Sequence, residues 1–482
     1  MTWENAINIK LNLSDISRKI ISDQTGILFS EQFISFLKNA AVPFSFCNTL
    51  AELLQQYEND ELKIIITSLK EIPDYLSGKA DIKKFTLSDL PINADVSTLE
   101  RLSLSELLLL LNYLNTTNLL QSVNKTNIQS LLNSALQHNQ VSVINNLKNK
   151  IAEILLLKVS YDNILQLGSI YGELQYNCYI QSSESSLELI KQVQSSIDSY
   201  SFDYILSGKL KDIFYEPAAN IKSVSSIIQY LKSLKSEKIA IVCFDCMGMS
   251  EWYLLSDFLS DMGISFKTNL SFALIPSITS ISRAAIFYGS NTEVYQLSSV
   301  NELKALQQNF PQNSCKIFRE KDNITSDSLL GIDIVSIIYN FFDDISHSVI
   351  FPAQYESKGI YFDAVKTYLA KSYIKSQISL LIEEGYKIFF CSDHGSVIAK
   401  GNGKKVEKYL QDKFAKRACL INETTLAEFI DFPQMKIPFV DNKILVLPKG
   451  RSMFDNNKSI EISHGGITVD EIVVPFIEVV KC

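Results

Sequence analysis

The sequence predicts a mixed α/β protein whose C-terminal part contains a parallel sheet covered by helices. Three observations predict it. Strand-like and helix-like segments alternate over the first ninety or so residues, a leucine-rich helical stretch follows, and apolar strands recur from residue 238 onward. Alternation of strands with helices is typical of parallel sheets, and apolar runs without alternation are typical of strands buried on both faces.

The first part of the chain, residues 1–95, is predicted to be a small α/β domain with a mainly parallel sheet. Its strand-like segments are ILFS, VPFSFCN, LKIIITS and IKKFTLSDL, and its helix-like segments are EQFISFLKNA and LAELLQQYEN. Residues 96–200 carry leucine at helical spacing with almost no glycine or proline, which predicts a helical domain. His138 lies there on a polar stretch and is expected at the surface.

The remaining residues, 201–482, are predicted to form a larger α/β domain. Its strands are KIAIVCFD, IDIVSIIYNFFDD, YKIFFCSDH, KILVLPKG and EIVVPFIEVV. Behind the first of them, apolar residues from Trp252 to Met262 recur at helical spacing. A strand followed by such a helix is the beginning of a parallel unit.

The composition excludes several classes of protein. With 482 residues, 46% hydrophobic and 20% charged, the chain is long and apolar enough for large buried cores, which excludes disordered and fibrous classes. A net charge of −8 argues against a generally basic nucleic-acid-wrapping surface. The N-terminus resembles no secretory signal and the apolar runs are short, so we expect a cytoplasmic protein without a membrane partner. The eight scattered cysteines are expected to be reduced thiols.

Acidic residues stand where three of the predicted strands end. They are Asp245 in CFDCMG, Asp343 and Asp344 in FFDDISH, and Asp393 with His394 in CSDHGS. Ligands of open α/β sheets bind at the carboxyl ends of the strands, so we expect these groups to converge. Taken singly, each has an alternative interpretation as a cap or turn residue.

Two further histidines extend this pattern. Asp343 and His347 are four residues apart, which puts both on one face of a helix, and His464 stands in a glycine-rich stretch, ISHGGITVDEIVVP. A mixed set of carboxylates and imidazoles suits borderline divalent ions, Zn²⁺ first and Mn²⁺ second, and the ligands are enough for two ions.

A candidate nucleophile lies in LIPSITSISRAAIFYG. A Ser/Thr-rich turn after Pro276 runs into a helix-like segment, where a hydroxyl at the helix start would face amides suited to a phosphate. We predict that Thr279 is the nucleophile and that the guanidinium of Arg283 binds a phosphoryl oxygen. The alternative is that Thr279 or Ser277 is only an N-cap, which would be worth about 1 kcal/mol.

Together these motifs resemble the PglZ domain, a member of the alkaline phosphatase superfamily known from BREX-type phage-defence loci. The similarity covers roughly residues 238–482 and includes P-S-I-T, D-x-x-x-H, S-D-H-G and H-G-G-I-T-x-x-E-x-x-x-P in family order. The resemblance implies an alkaline-phosphatase-like parallel sheet covered by helices, with two zinc ions. One ion would be held by Asp245, Thr279, Asp393 and His394, and the other by Asp343, His347 and His464.

The resemblance implies a two-metal-dependent phosphoester hydrolase, a phosphodiesterase or phosphatase, that acts through a phosphothreonine intermediate in phage defence. Monoesters and diesters, including nucleic acid and nucleotides, remain open as substrates, and other defence proteins are expected partners. One alternative is a zinc-containing scaffold or binding subunit without catalysis, which would have no need of the Thr279 hydroxyl. A phosphomutase is a third class, but it would require a dedicated domain that the helical region does not suggest.

Overall fold

The computed structural model describes residues 2–15, 17–40, 43–59, 61–76, 78, 80–118, 120–215, 220–234, 238–297, 299–351, 357–407, 415–437 and 443–481. The chain divides into two compact units, Met1–Val143 and Ile144–Cys482. The boundaries expected near residues 95 and 200 stay a prediction. Within the described residues, no helix combines the length and the apolar character that crossing a membrane requires.

The first unit contains a four-stranded sheet in which all pairs are parallel. Its spatial order is β2-β3-β1-β4, with β1 Lys19–Asp23, β2 Phe44–Cys47, β3 Ile64–Thr67 and β4 Asp81–Phe85. The accompanying helices are α1 Trp3–Leu11, α2 Glu31–Asn39, α3 Leu50–Tyr57, α4 Val96–Leu99 and α5 Leu104–Thr116, with 3-10 turns at Ile27–Phe29, Asp74–Leu76 and Leu87–Asp89. The predicted small α/β domain is therefore confirmed in fold class.

One predicted strand of this unit is wrong. The segment ILFS forms the 3-10 turn Ile27–Phe29, and the strand of this region is β1, which lies before it. The carboxylate of Asp23, at the end of β1, accepts hydrogen bonds from the backbone N–H groups of Thr25, Gly26 and Leu28. These bonds hold the chain in a turn immediately after the strand. The apolar residues that follow, Ile27 and Leu28, are therefore buried as part of a 3-10 turn and not of a strand.

Long helices follow, as the leucine spacing predicts. They are α6 Ile128–Leu155, which contains the boundary between the units, α7 Tyr161–Gln181 and α8 Glu184–Leu206. Helix α7 packs closely against other parts of the second unit, and it has glycine at two of the contact positions, Gly168 and Gly172. A Cβ built on Gly172 would lie 2.4 Å from the Met249 Cβ, and one on Gly168 would lie 2.6 Å from the Val473 Cβ.

The second unit contains twelve strands and nine shorter helices among its described residues. The strands are β5 Ile239–Phe244, β6 Ile264–Phe272, β7 Cys315–Arg319, β8 Ile334–Tyr339, β9 Lys387–Ser392, β10 Val397–Gly401, β11 Cys419–Asn422, β12 Gln434–Lys436, β13 Lys443–Val446, β14 Ser452–Met453, β15 Ile460–Ser463 and β16 Val473–Lys481. The helices are α9 Ile227–Ser233, α10 Met249–Phe258, α11 Thr279–Tyr288, α12 Glu302–Asn309, α13 Ser326–Leu329, α14 Phe341–Ser348, α15 Gly359–Leu369, α16 Ile374–Glu383 and α17 Val469–Ile472. Further 3-10 turns are Lys209–Tyr215, Val224–Ser226, Ser260–Met262, Glu293–Gln296 and Glu423–Phe429.

Six of these strands form the main sheet, in the order β6-β16-β9-β5-β8-β7. Strand β16 is antiparallel to both of its neighbours, and the pairs from β9 to β7 are parallel. Every residue of β5 and β8 is buried, as their unbroken apolar sequences predict. The C-terminal parallel sheet covered by helices is thus confirmed.

Two small sheets lie between β9 and β16 in the chain. Their orders are β14-β10-β15 and β11-β13-β12. We call residues 397–463 the inserted segment. KILVLPKG forms β13 of this segment, so it is a strand as predicted but belongs to a small sheet and not to the main one.

Candidate metal centre

The carboxyl ends of the main-sheet strands carry the predicted site residues, and the structure brings them together. Asp245 directly follows β5, Asp393 and His394 directly follow β9, and helix α14, with Asp343 and His347, begins two residues after β8. The other two site residues stand in the turns that lead to this edge of the sheet, since Thr279 is the first residue of α11 and His464 directly follows β15. The structure therefore confirms the convergence expected for an open α/β sheet.

Asp245, Asp393 and His394 form one group, in which potential ligand atoms lie within 4.8 Å of one another. All three side chains are buried. Asp393 Oδ1 accepts hydrogen bonds from the backbone N–H of His394 at 2.9 Å and of Cys246 at 3.1 Å. Cys246 has a left-handed backbone with φ of 64°, rare outside glycine, and in this conformation its N–H reaches the carboxylate. Its role is thus to orient Asp393 through the main chain.

The hydroxyl of Thr279 adjoins this first group. Its Oγ1 lies 3.2 Å from Asp245 Oδ1 and 3.0 Å from His394 Nε2. The N-cap of α11 is Ile278, so neither Thr279 nor Ser277 has the capping role that was the alternative interpretation. The hydroxyl of Ser277 is buried in a turn, where it donates to the Gly466 carbonyl and accepts from the Gly465 N–H.

Asp343, His347 and His464 form the second group, again with potential ligand atoms within 4.8 Å of one another. His347 Nε2 lies 3.1 Å from Asp343 Oδ1, as the four-residue spacing on α14 predicts, and His464 Nε2 lies 3.8 Å from the same oxygen. The neighbouring Asp344 is exposed and belongs to neither group. Asp343 is therefore the carboxylate of the doublet that faces the centre.

The two groups adjoin through their histidines. The rings of His394 and His464 stack with centroids 4.3 Å apart at an interplanar angle of 19°. His394 Nδ1 lies 3.1 Å from the Gly395 carbonyl, and His464 Nδ1 lies 3.3 Å from the Ser277 carbonyl. Because a carbonyl can only accept, each Nδ1 carries the proton and each Nε2 directs its lone pair into the centre. Metal-ligating histidines are oriented by outer hydrogen bonds of this kind.

The charges of the centre are poorly balanced by the protein alone. Burial, and then the neighbouring Asp393, raise the pKa of Asp245 to about 7. Burial, and then the neighbouring His394, lower the pKa of His464 to about 4. Although burial opposes it, the bond from His347 and the nearby His464 lower the pKa of Asp343 to about 2. Asp245 thus resists ionisation while His464 stays neutral, and a nearby divalent cation would favour both ligating forms.

A further observation tests whether a metal fits. Asp393 Oδ2 is buried and has no hydrogen-bond partner among the residues that the structure describes. A buried carboxylate oxygen without a partner is costly, and a cation would satisfy it. Together with the buried carboxylates and the inward-facing imidazole nitrogens, this oxygen makes the donor set suitable for transition-metal ions.

Arg283 lies behind the first group. Its Nη1 donates to Asp245 Oδ2 at 2.8 Å and to Asn340 Oδ1 at 3.3 Å, and its Nε lies 3.6 Å from Glu302 Oε1. The guanidinium therefore holds one oxygen of Asp245 and leaves the other facing Thr279. Its contact with a phosphoryl oxygen stays a prediction.

Comparison with known proteins identifies the family. A model of the BREX system PglZ alkaline phosphatase-like domain matches residues 225–479, which is more than half of the chain. The chain belongs to the PglZ family. We call residues 225–479 the PglZ domain, and its alkaline-phosphatase-like classification indicates a fold of the phosphoesterase type.

Solved structures with some similarity include the murine and human ectonucleotide pyrophosphatase/phosphodiesterase 5. The murine protein is 11% identical and the human protein 12%, each over 50% of this chain and 87% of the other, with TM-scores of 0.30. No curated protein matches the chain in sequence.

Sequence reasoning did not assign a role to three of the groups that shape this centre. They are the main-chain N–H of Cys246, which bonds Asp393, and the side chains of Arg417 and Glu471, which form a buried ion pair that holds the Gly466 N–H two residues after His464. Only Glu471 had a signal, since it belongs to the motif H-G-G-I-T-x-x-E.

Proposed function

We propose that the PglZ domain hydrolyses phosphate esters with two divalent metal ions, zinc first and manganese second, and with Thr279 as the nucleophile. One observation supports this most: two ligand groups adjoin at the stacked imidazoles, and the Thr279 hydroxyl lies against one of them. A scaffold that bound zinc only for stability would have no need of this hydroxyl at the start of α11.

The proposed ligands follow the two groups. Asp245, Asp393 and His394, with Thr279 beside them, would hold one ion, and Asp343, His347 and His464 would hold the other. When bound, a pair of ions stabilises the attacking and leaving oxygens of an in-line displacement at phosphorus. The exposed side of the centre is at Asp343 and His347, whose side chains are 18% and 13% exposed, and a substrate would enter there.

The chain's own residues would position the first displacement. Asp245 Oδ1 and His394 Nε2 are the two neighbours of the Thr279 hydroxyl, and they fix its oxygen at the N-terminus of α11. The amides of that first helical turn favour the negative charge of a bound phosphate. As the Oγ1–P bond forms, the hydroxyl proton passes to solvent and the bond between phosphorus and the departing oxygen breaks. That oxygen takes up a proton from solvent and leaves as an alcohol.

The phosphothreonine ester would then be hydrolysed. A water oxygen attacks phosphorus, the Oγ1–P bond breaks, and Thr279 takes back a proton, which returns the hydroxyl to its starting state. Arg283 would contribute by keeping Asp245 oriented through both steps, since its Nη1 bonds the outer oxygen of that carboxylate.

The biological setting follows from the family. The family model is that of a BREX system domain, so we propose a role in phage defence inside the cytoplasm, together with other defence proteins. The substrate would be a phosphate monoester or diester, and nucleic acid and nucleotides are the candidates to assay first.

Metal analysis coupled to hydrolysis assays tests this proposal. We expect close to two zinc ions per chain, hydrolysis of a generic diester, monoester or oligonucleotide, loss of activity after chelation, and recovery on zinc addition. Asp393→Ala should abolish hydrolysis, whereas Asp344→Ala, which removes an exposed carboxylate from the same surface region, should not. Less than half an ion per chain after reconstitution, or a full defence phenotype in Asp393→Ala, would favour the scaffold instead.

A further inference from the structure

The turn that carries His464 is held by a buried charge pair. We call His464, Gly465 and Gly466 the HGG turn. Glu471 Oε1 accepts a hydrogen bond from the Gly466 N–H at 2.8 Å, and Arg417 Nε donates to the same oxygen at 2.8 Å. Glu471 has 0% and Arg417 2% of its surface exposed. The pair is therefore shielded from water and salt.

The other oxygen of Glu471 is equally engaged. Oε2 accepts from the Thr468 hydroxyl at 2.7 Å, from the Thr468 N–H at 3.1 Å and from Arg417 Nη2 at 3.1 Å. Glu471 thus bonds the main chain on both sides of Ile467, while Arg417 grips both carboxylate oxygens. A bidentate ion pair of this kind fixes the orientation of the carboxylate as well as its distance from the guanidinium.

Glu471 also contacts the loop that carries His394. The backbone carbonyl of Glu471 accepts a hydrogen bond from the N–H of Gly395 at 2.9 Å, directly after His394. Only glycine allows this approach, because a Cβ on Gly395 would lie 2.0 Å from the Asp470 carbonyl oxygen. Glu471 therefore contacts both loops that carry the stacked imidazoles, one through its side chain and the other through its main chain.

Arg417 connects this arrangement to the inserted segment. Its backbone N–H donates to the His464 carbonyl at 3.3 Å. Its guanidinium also donates to the Ser452 carbonyl at 2.5 Å and to the Gly450 carbonyl at 3.2 Å. One side chain thus ties the HGG turn to β14 and to the loop before it.

We propose that Glu471, clamped by Arg417, is a positioning residue that fixes the HGG turn relative to the His394 loop and thereby sets the geometry of the second ion site, to which His464 belongs. The inference rests on the proposed two-ion function. Glu471 acts through the HGG turn and touches neither the centre nor a substrate. A buried ion pair adds little net stability, so its contribution here is to select one geometry of the turn.

Two substitutions test the proposal. Glu471→Gln keeps the size of the side chain but replaces one carboxylate oxygen by an NH2 group, which would face hydrogen-bond donors. Arg417→Lys keeps the positive charge but cannot form the bidentate hydrogen bonds of the guanidinium. Matched controls are Asp470→Asn, which alters the neighbouring buried acid of α17 that pairs with Arg451, and Lys416→Gln, which alters the cation before Arg417.

Zinc affinity is the first measurement. We expect Glu471→Gln to weaken the second zinc ion by about 10- to 100-fold, the usual effect of removing a group that orients a ligand, while the first ion and both controls change little. Excess zinc should restore part of kcat with KM unchanged. Equal affinities in Glu471→Gln and the wild type would overturn the proposal, and so would an equal loss in Asp470→Asn.

The second measurement needs no metal. In the metal-free protein, the ring nitrogen NMR signals of His464 should shift in Glu471→Gln and Arg417→Lys but not in the two controls. Unchanged signals would overturn the positioning role. A wild-type protein that binds fewer than two ions would instead contradict the proposed function, so the two failures are distinguishable.

Discussion

The two hydroxyls of the P-S-I-T sequence should have opposite effects when they are removed. Thr279→Ala removes the proposed attacking oxygen, which lies 3.2 Å from Asp245 Oδ1 and 3.0 Å from His394 Nε2. Ser277→Ala removes a hydroxyl that faces no ligand and bonds only the HGG turn among the described residues. We therefore expect the first substitution to act on catalysis and the second on stability.

The structure gives the magnitudes. Thr279→Ala loses the hydrogen bonds of one hydroxyl, and a typical net contribution is about 0.5–1.5 kcal/mol of unfolding free energy. Hydrolysis should fall by about three orders of magnitude or more, which is about 4 kcal/mol of transition-state free energy. Ser277→Ala leaves the buried Gly466 carbonyl and Gly465 N–H without their partner, at about 1–3 kcal/mol each, so the free energy of unfolding should fall by about 2–6 kcal/mol.

Denaturant unfolding and hydrolysis of a chromogenic diester, both with zinc saturated, separate the two effects. Thr279→Ser should keep part of the activity, because serine supplies the same oxygen with more rotamer freedom. Wild-type hydrolysis by Thr279→Ala would refute the covalent step. A folded, zinc-loaded and inactive Ser277→Ala would show that the nucleophile is two residues earlier.

Four further outcomes follow from the centre. Because the pKa of Asp245 in the metal-free protein is raised to about 7, above its unfolded value, the contribution of Asp245 to the free energy of unfolding should fall as pH rises from about 4 to about 7. The contribution of His464, whose pKa is lowered to about 4, should rise over part of the same pH range, so the fall should be steeper in a variant that lacks His464. Zinc needs the ionised carboxylate, so melting experiments should show a larger stabilisation by zinc near pH 8 than near pH 5. Arg283→Lys should lower zinc affinity at the Asp245 site with little change in KM, and a raised KM alone would instead indicate direct contact with substrate. His394→Ala should lose one zinc ion before the other in a chelator titration, and simultaneous loss would contradict two separate ligand groups.

The convergence of the candidate ligands could be predicted from the sequence because most of these residues stand at or near strand ends. A buried apolar strand followed by Asp245, or by Asp393 and His394, places those side chains at one edge of a parallel sheet, and this placement does not depend on the conformation of the connecting loops. The helical spacing of Asp343 and His347 is likewise local. Local patterns of this kind survive folding, so the predicted ligands converge in the structure.

Features that depend on distant packing escape the sequence. The partner of Arg283 is Asp245, 38 residues away, and the partner of Glu471 is Arg417, 54 residues away in the inserted segment. Neither pairing follows from spacing. The strand β1 was missed for a related reason. In the first unit, the turn that Asp23 stabilises by hydrogen bonds determines where the strand ends, so the apolar residues after it form a 3-10 turn and not a strand.

The stereochemical course at phosphorus tests the central claim most directly. A diester made chiral at phosphorus would be hydrolysed in isotopically labelled water, and the configuration of the product determined. Each in-line displacement inverts the centre, so attack by Thr279 followed by attack of water predicts net retention. Net inversion would contradict the account, because it would mean that water attacks the substrate directly and that Thr279 is not the nucleophile.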